Sequence, residues 1–170
     1  GLDVSRLYGD AGPRRASAPQ GPAAANERAP PQERARAPAV ILTPEQEMIR
    51  DSVRAFARER LAPNAAKWDH EATFPREALQ GLAQMGLFGI AVTEEWGGAG
   101  MDCLALALAV EEIAAGDAAT STIIAVNNLV AGILAGYGSP EQKRKFLRPL
   151  AGGGQLGCFC LTEPHAGSDA

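Results

Sequence analysis

The sequence predicts an all-α fold of about five helices, with a single strand at its carboxy-terminal edge. Three observations predict it. Apolar residues recur at helical spacing through Ile49, Val53, Phe56, Ala57 and Leu61. The tetrads Thr43-Pro44-Glu45-Gln46 and Ser139-Pro140-Glu141-Gln142 carry the same helix-start chemistry. Between Ala118 and Pro140 no residue is charged, as in a helix central to a bundle.

With 170 residues, 46% of them apolar, the chain can bury one sizeable core. Its formal net charge of −4 offers no field for nucleic acid or an anionic membrane. The cluster Lys143, Arg144, Lys145 and Arg148 reads as a solvated helix face. Cys103, Cys158 and Cys160 form no disulfide framework, and no second cysteine pair or histidine supplies a metal site. They read as buried, chemically quiet thiols.

Residues 1–39 hold Pro13, Pro19, Pro22, Pro30, Pro31 and Pro38 and show no apolar periodicity. Such a segment buries too little surface to offset its ordering entropy, so a disordered extension is expected. Its arginines, alanines and serines have a faint transit-peptide character, which its acids and prolines oppose.

Order is expected from Thr43. Its hydroxyl can cap the first free N–H groups, Pro44 suits the first helical position, and Gln46 can close a capping box. Pro63 is expected to kink or interrupt this helix, which can run on towards Trp68. A second helix starts near Pro75, buries Leu79, Leu82 and Met85, and stops at Gly86. The apolar run 87–92 leads into the loop 93–100. The third helix spans about 102–115 and is apolar all round from Cys103 to Val110, which predicts burial on most sides. The fourth spans about 118–135. Its length admits a membrane-spanning reading. Asn127-Asn128 at its middle favour a soluble core helix, with both amides either forming a polar site or bonded to neighbouring backbone. A short basic helix then ends at Pro149, 151–154 turn, and Leu156 to Leu161 reads as a strand with Cys158 and Cys160 on one face and Phe159 on the other.

The tail carries a more specific signal. Gly157-Cys158-Phe159-Cys160-Leu161-Thr162-Glu163-Pro164-His165-Ala166-Gly167-Ser168-Asp169-Ala170 resembles the flavin-binding signature of the acyl-CoA dehydrogenases. Upstream, Glu94-Glu95-Trp96-Gly97-Gly98-Ala99-Gly100-Met101-Asp102 is similar to that family's glycine loop, with Thr93 where a proline is usual. Val110-Glu111-Glu112-Ile113-Ala114 and Gly138-Ser139-Pro140-Glu141-Gln142-Lys143 match in order and spacing. The resemblance covers about 41–170, and Ala125-Val126-Asn127-Asn128 is most similar to short-chain, butyryl-CoA-type members.

The resemblance implies a helical amino-terminal domain over 40–154 and, over 155–170, the first strand of a truncated β-barrel domain. It implies FAD as cofactor and α,β-dehydrogenation of an acyl-CoA thioester, in fatty acid β-oxidation or branched-chain amino acid breakdown. Phe159, Leu161, Thr162, Gly167 and Ser168 match cofactor-binding positions, and Ser168 also matches one that reaches the acyl-CoA. Thr122, Ile123 and Val126 match positions near the base of the acyl pocket, although plain helix packing accounts for them equally. The family's glutamate base is expected beyond Ala170, so this chain alone is expected to be inactive. An electron-transfer flavoprotein as acceptor, a tetramer or dimer, and a mitochondrial matrix or bacterial cytoplasmic location are implied by the same resemblance. An oxygen-using acyl-CoA oxidase or a non-catalytic helical scaffold stays open as an alternative.

Read as chemistry, Gly167 permits positive φ and close approach to a ligand, and Ser168 adds a hydroxyl donor. His165 stands where the family usually has glycine, which questions the loop geometry; it reads as an exposed loop residue.

Overall fold

The computed structural model of the protein describes residues 41–167. The disordered extension expected over 1–39 and the candidate Ser168 lie outside them.

The first helix, α1 (Pro44–Phe56), opens as its sequence predicts. The Thr43 hydroxyl accepts the Gln46 N–H at 3.3 Å, and the Gln46 side chain accepts the Thr43 N–H at 3.0 Å. The chain then widens into a π turn (Ala57–Leu61) and continues as α2 (Ala62–His70). The same device recurs later: α6 (Pro140–Gln142), a π turn (Lys143–Leu147), then α7 (Arg148–Ala151). Each π turn ends two residues before a proline, Pro63 or Pro149. A proline ring in a helix crowds the carbonyl four residues earlier, and one extra residue in the turn relieves that. Neither proline therefore ends its helix. The expected stop at Pro149 is corrected to Ala151.

Between these lie α3 (Arg76–Gln84), α4 (Cys103–Gly116) and α5 (Ala118–Tyr137). Gly86, at φ 77°, turns the chain out of α3. Asp102 and Asp117 cap α4 and α5, accepting N–H groups of Ala105 at 2.8 Å and Thr120 at 2.9 Å. Helices α1 and α4 pack together, and α4 packs on α5. Gln46 and Arg54 of α1 reach Asp102 and Glu112 respectively, so α1 and α4 run in the same direction. Arg54 grips Glu112 through two N–H donors, at 3.0 and 2.6 Å, and that carboxylate raises the guanidinium pKa above its ordinary value.

The main core gathers Val53, Leu61, Leu82, Phe88, Ile113 and Ile124 from the helices and the 87–90 loop. Val92, Ala131, Leu147 and Ala151 form a second cluster beneath Trp96. Burial on α4 is narrower than its all-apolar sequence predicts. Ala105, Ala109 and Ile113 form one buried stripe, while Leu104 is exposed. Apolar composition does not say which face finds a neighbour, and among the described residues only one does. Helix α5 behaves alike. It is long and apolar enough to cross a membrane by length and composition. Thr120, Ser121, Asn127 and Asn128 nevertheless point into the protein, and Leu129, Ile133 and Tyr137 point out of it.

The described residues contain no strand. Leu156 to Leu161 has no regular secondary structure, and the only β pairing nearby among the described residues is an isolated bridge between Glu163 and Ala166. A strand is defined by its partner, and none of the described residues supplies one. The alternation expected of this segment persists, since the Cys158 and Cys160 sulfurs lie 3.9 Å apart on one side. All three cysteines are exposed, which corrects the expectation of buried thiols. Cys103 starts a helix at the surface, and the other two sit on the uncovered tail.

Candidate cofactor-binding segment

The tail leaves the helical body at Gly157. The adjacent asparagines of α5 explain how. Asn128 is buried, donates to the Leu87 and Ile124 carbonyls at 2.8 and 2.9 Å, and accepts the Ile90 N–H at 3.2 Å. It thereby holds the 87–90 loop, which has no regular backbone partners of its own at these groups. Asn127 donates to the Phe88 carbonyl at 2.9 Å and accepts the Gly157 N–H at 2.9 Å. The two amides are thus bonded to backbone, the second of the two readings their sequence left open.

Beyond Gly157, the main-chain N–H groups of Cys158 to Thr162 have no partner among the described residues. Phe159 and Leu161 are half exposed, at 50% and 47%. Leu156 and Phe159 form one wall of an open apolar groove of about 390 Å³, faced by Val130, Ile133 and Phe146. Thr162 is exposed at the start of a tight turn, in which Glu163 N–H donates to the Ala166 carbonyl at 2.7 Å. That turn folds Gly167 back onto Thr162. A Cβ on Gly167 would lie 3.4 Å from the Thr162 methyl, an ordinary contact, and its φ is not in the left-handed region. Neither positive φ nor a close contact in this structure therefore demands glycine at 167. Ala72 is the only non-glycine of positive φ among the described residues, so His165 sits on this turn in an ordinary conformation.

The structure brings Phe159, Leu161, Thr162 and Gly167 onto one short segment. It does not bring Thr122, Ile123 and Val126 to it. Thr122 is exposed and its hydroxyl donates to the Ala118 carbonyl at 3.1 Å. Ile123 packs against the main core and borders a different groove, beside Trp68 and Phe74. Val126 is half-buried. Sequence reasoning missed the reach of Asn127 to Gly157 and the contact of Val130 with the same glycine. The signal was present, as paired amides inside an otherwise apolar helix. Cys158 is set above the ordinary thiol value of 9.0 by its hydrogen bond with Cys160 and by that neighbour's charge.

Residues 43–154 match the family described as acyl-CoA dehydrogenase, N-terminal domain. The chain belongs to the acyl-CoA dehydrogenase family. The short-chain specific acyl-CoA dehydrogenase of Rattus norvegicus, a mitochondrial protein, is 42% identical over 132 residues, which cover 77% of this chain and 32% of that protein. The mitochondrial isobutyryl-CoA dehydrogenase of Dictyostelium discoideum is 39% identical over 133 residues, covering 78% and 32%. Among solved structures, butyryl-CoA dehydrogenase from Megasphaera elsdenii superposes with a TM-score of 0.72 at 36% identity, covering 77% of this chain and 35% of that one. The chain thus spans about a third of the length of the acyl-CoA dehydrogenases it matches. The helical fold read from its sequence is the fold of this family's amino-terminal domain.

Proposed function

We propose that this chain supplies the amino-terminal helical region of an FAD-dependent acyl-CoA dehydrogenase acting on a short-chain acyl-CoA. The observation that carries the reading is the uncovered segment Phe159 to Gly167, set at the edge of the family's helical domain. Members of the family are flavoproteins. FAD, when bound, supplies the acceptor for the hydride leaving the β-carbon.

The residues present fit that cofactor. Phe159 and Leu161 offer apolar faces to a planar ring, and the N–H groups of Cys158 to Thr162, which have no partner among the described residues, offer donors. The Thr162 hydroxyl, which has no partner among the described residues, lies beside Gly167, and the absent side chain there leaves it open to a ligand. Ser168 joins this group on its sequence match alone. Thr122 and Val126, on the outward side of α5, and Ile123 beside them are proposed to floor the acyl pocket. Burial of Thr120, Asn127 and Asn128 supports α5 as a core helix, not a membrane span.

An electron-transfer flavoprotein as acceptor and a dimeric or tetrameric enzyme belong to the same proposal. A mitochondrial location in a eukaryote is supported by the rat and Dictyostelium relatives, and a cytoplasmic location in a bacterium belongs to the same proposal.

The test uses the full-length gene product. It should purify yellow, and butyryl-CoA or isobutyryl-CoA should bleach the flavin without oxygen. Rapid oxygen uptake on substrate addition would instead mark an oxidase. A colourless, folded protein that ignores both substrates would defeat the proposal.

A further inference from the structure

Asn127 is fully buried, and its single amide is shared among three separate stretches of chain. The nitrogen donates to the Phe88 carbonyl at 2.9 Å and, more weakly, to the Leu150 carbonyl of α7 at 3.4 Å. The oxygen accepts the Gly157 N–H at 2.9 Å. One turn along α5, Val130 forms the other wall of the same seat. A Cβ on Gly157 would lie 3.0 Å from Val130 Cβ and Cγ1, tighter than ordinary packing. Gly157 is therefore fixed from two sides by one face of one rigid helix.

The chain beyond Gly157 lacks such ties. Cys158 to Thr162 make no main-chain hydrogen bond to the described residues, and the bond from Glu163 to Ala166 is internal to the next turn. The Asn127–Gly157 bond is thus the last main-chain tie between the helical body and the segment that carries Phe159, Leu161 and Thr162. A ligand held by backbone N–H groups is sensitive to sub-ångström shifts of those groups, because hydrogen bonds weaken steeply with distance and angle.

We infer that Asn127 is a positioning residue for the flavin: through Gly157 it sets the height and direction at which the cofactor-binding segment leaves the helices. The inference rests on the functional reading above. Asn128 provides the internal contrast. It is buried on the same helix with as many hydrogen bonds, yet all of them go to the 87–90 loop and its own helix.

The test is made on the full-length protein, with flavin affinity measured by titrating the deflavinated form at a temperature where circular dichroism shows every variant folded. Asn127→Ala should weaken FAD binding roughly tenfold, the value of one buried hydrogen bond. Asn128→Ala should lose comparable thermal stability and hold FAD within about twofold of wild type. Asn127→Asp keeps an acceptor for the Gly157 N–H and should bind FAD better than Asn127→Ala, although it buries a carboxylate. Should Asn127→Ala not fold, Gly157→Ala attacks the seat from the other side, leaves the bonds of Asn127 to Phe88 and Leu150 in place, and should also weaken FAD. Hydrogen exchange on the deflavinated protein should show faster exchange at Gly157 in Asn127→Ala alone. Equal loss of FAD affinity in the Asn127 and Asn128 variants, or wild-type affinity in Gly157→Ala, would overturn the inference while leaving the enzyme assignment intact. A wild-type protein that never binds FAD would overturn both.

Discussion

Gln46 of α1 donates to the Asp102 carboxylate at 2.8 Å, although 56 residues separate them. Each side chain is also a cap. Gln46 closes the box at the start of α1, and Asp102 accepts the Ala105 N–H in the first turn of α4. Two helix starts are thereby locked to each other, side by side, in helices that run the same way. Asp102→Ala should cost about 1–2 kcal/mol, as loss of an N-cap does, plus a share of the interhelical bond. Asp102→Asn should keep most of it. A double-mutant cycle with Gln46→Ala, read by urea unfolding, should return a coupling of about 0.5–1 kcal/mol. Strict additivity would mean that the two caps act independently.

Gly98 and Gly132 should respond oppositely to alanine. A Cβ at Gly98 would lie within 2.5 Å of two main-chain oxygens, those of Val92 and Gly89. Backbone cannot yield as a side-chain tip does, and the loop is pinned there by the bond from Ala99 N–H to the Gly89 carbonyl at 2.9 Å. Gly98→Ala should destabilise the protein by about 3 kcal/mol or leave it unfolded. Gly132 sits in the exposed middle of α5 with nothing within 4 Å of a Cβ. Gly132→Ala should raise stability by about 0.5–1 kcal/mol, since alanine loses less conformational entropy in a helix. Thermal unfolding of both variants decides the point.

The contrast between those glycines shows where the sequence was legible. Helix starts were, because Thr43, Gln46, Ser139 and Gln142 act within a few residues of themselves. The apolar faces of α1, the π turn after it and α3 were, because period and burial agree at Val53, Leu61, Leu79 and Leu82. The helix end near Pro149 was not, because a π turn absorbs a proline without any marker in composition. The exposed thiols of Cys158 and Cys160 were misjudged for a related reason. Burial of a small apolar side chain depends on what lies opposite, and nothing local encodes that. The candidate segment was legible as a motif. Its anchoring was not, because the bond from Gly157 to Asn127 joins residues 30 apart.

Acid should weaken the fold through Asp51 and Glu141. The hydrogen bond from Arg50, and then the charges of Arg50 and Arg54, hold Asp51 below its ordinary value of 3.8. Glu141 lies below 4.5 chiefly through its own backbone N–H at the helix start and through the Ser139 hydroxyl. A carboxyl whose pKa is depressed in the folded state binds its proton more readily when unfolded. Its stabilisation is present above the unfolded value and is lost as pH falls through the folded one. Melting temperature should therefore decline as pH falls below about 5, and less steeply in Glu141→Gln. Both groups are exposed, so added salt should shrink the difference. Identical pH profiles for Glu141→Gln and wild type would remove Glu141 from this account.

Cys160 should slow the alkylation of Cys158, for an electrostatic reason. Its Sγ lies 3.9 Å from that of Cys160, and the hydrogen bond and charge of this neighbour raise its pKa above 9.0. Only the thiolate reacts, so a raised pKa lowers the reactive fraction near neutral pH. Cys160→Ala removes both causes and leaves Cys158 as exposed as before. Alkylation of Cys158 by iodoacetamide, followed by mass spectrometry of the tail peptide at pH about 8, should then become faster. If access and not ionisation limited the reaction, replacing Cys160 by the smaller alanine would speed it equally at every pH. Raising the pH separates these cases: the advantage of Cys160→Ala should vanish once Cys158 is fully ionised in both proteins, because past that point the neighbour no longer controls the amount of thiolate.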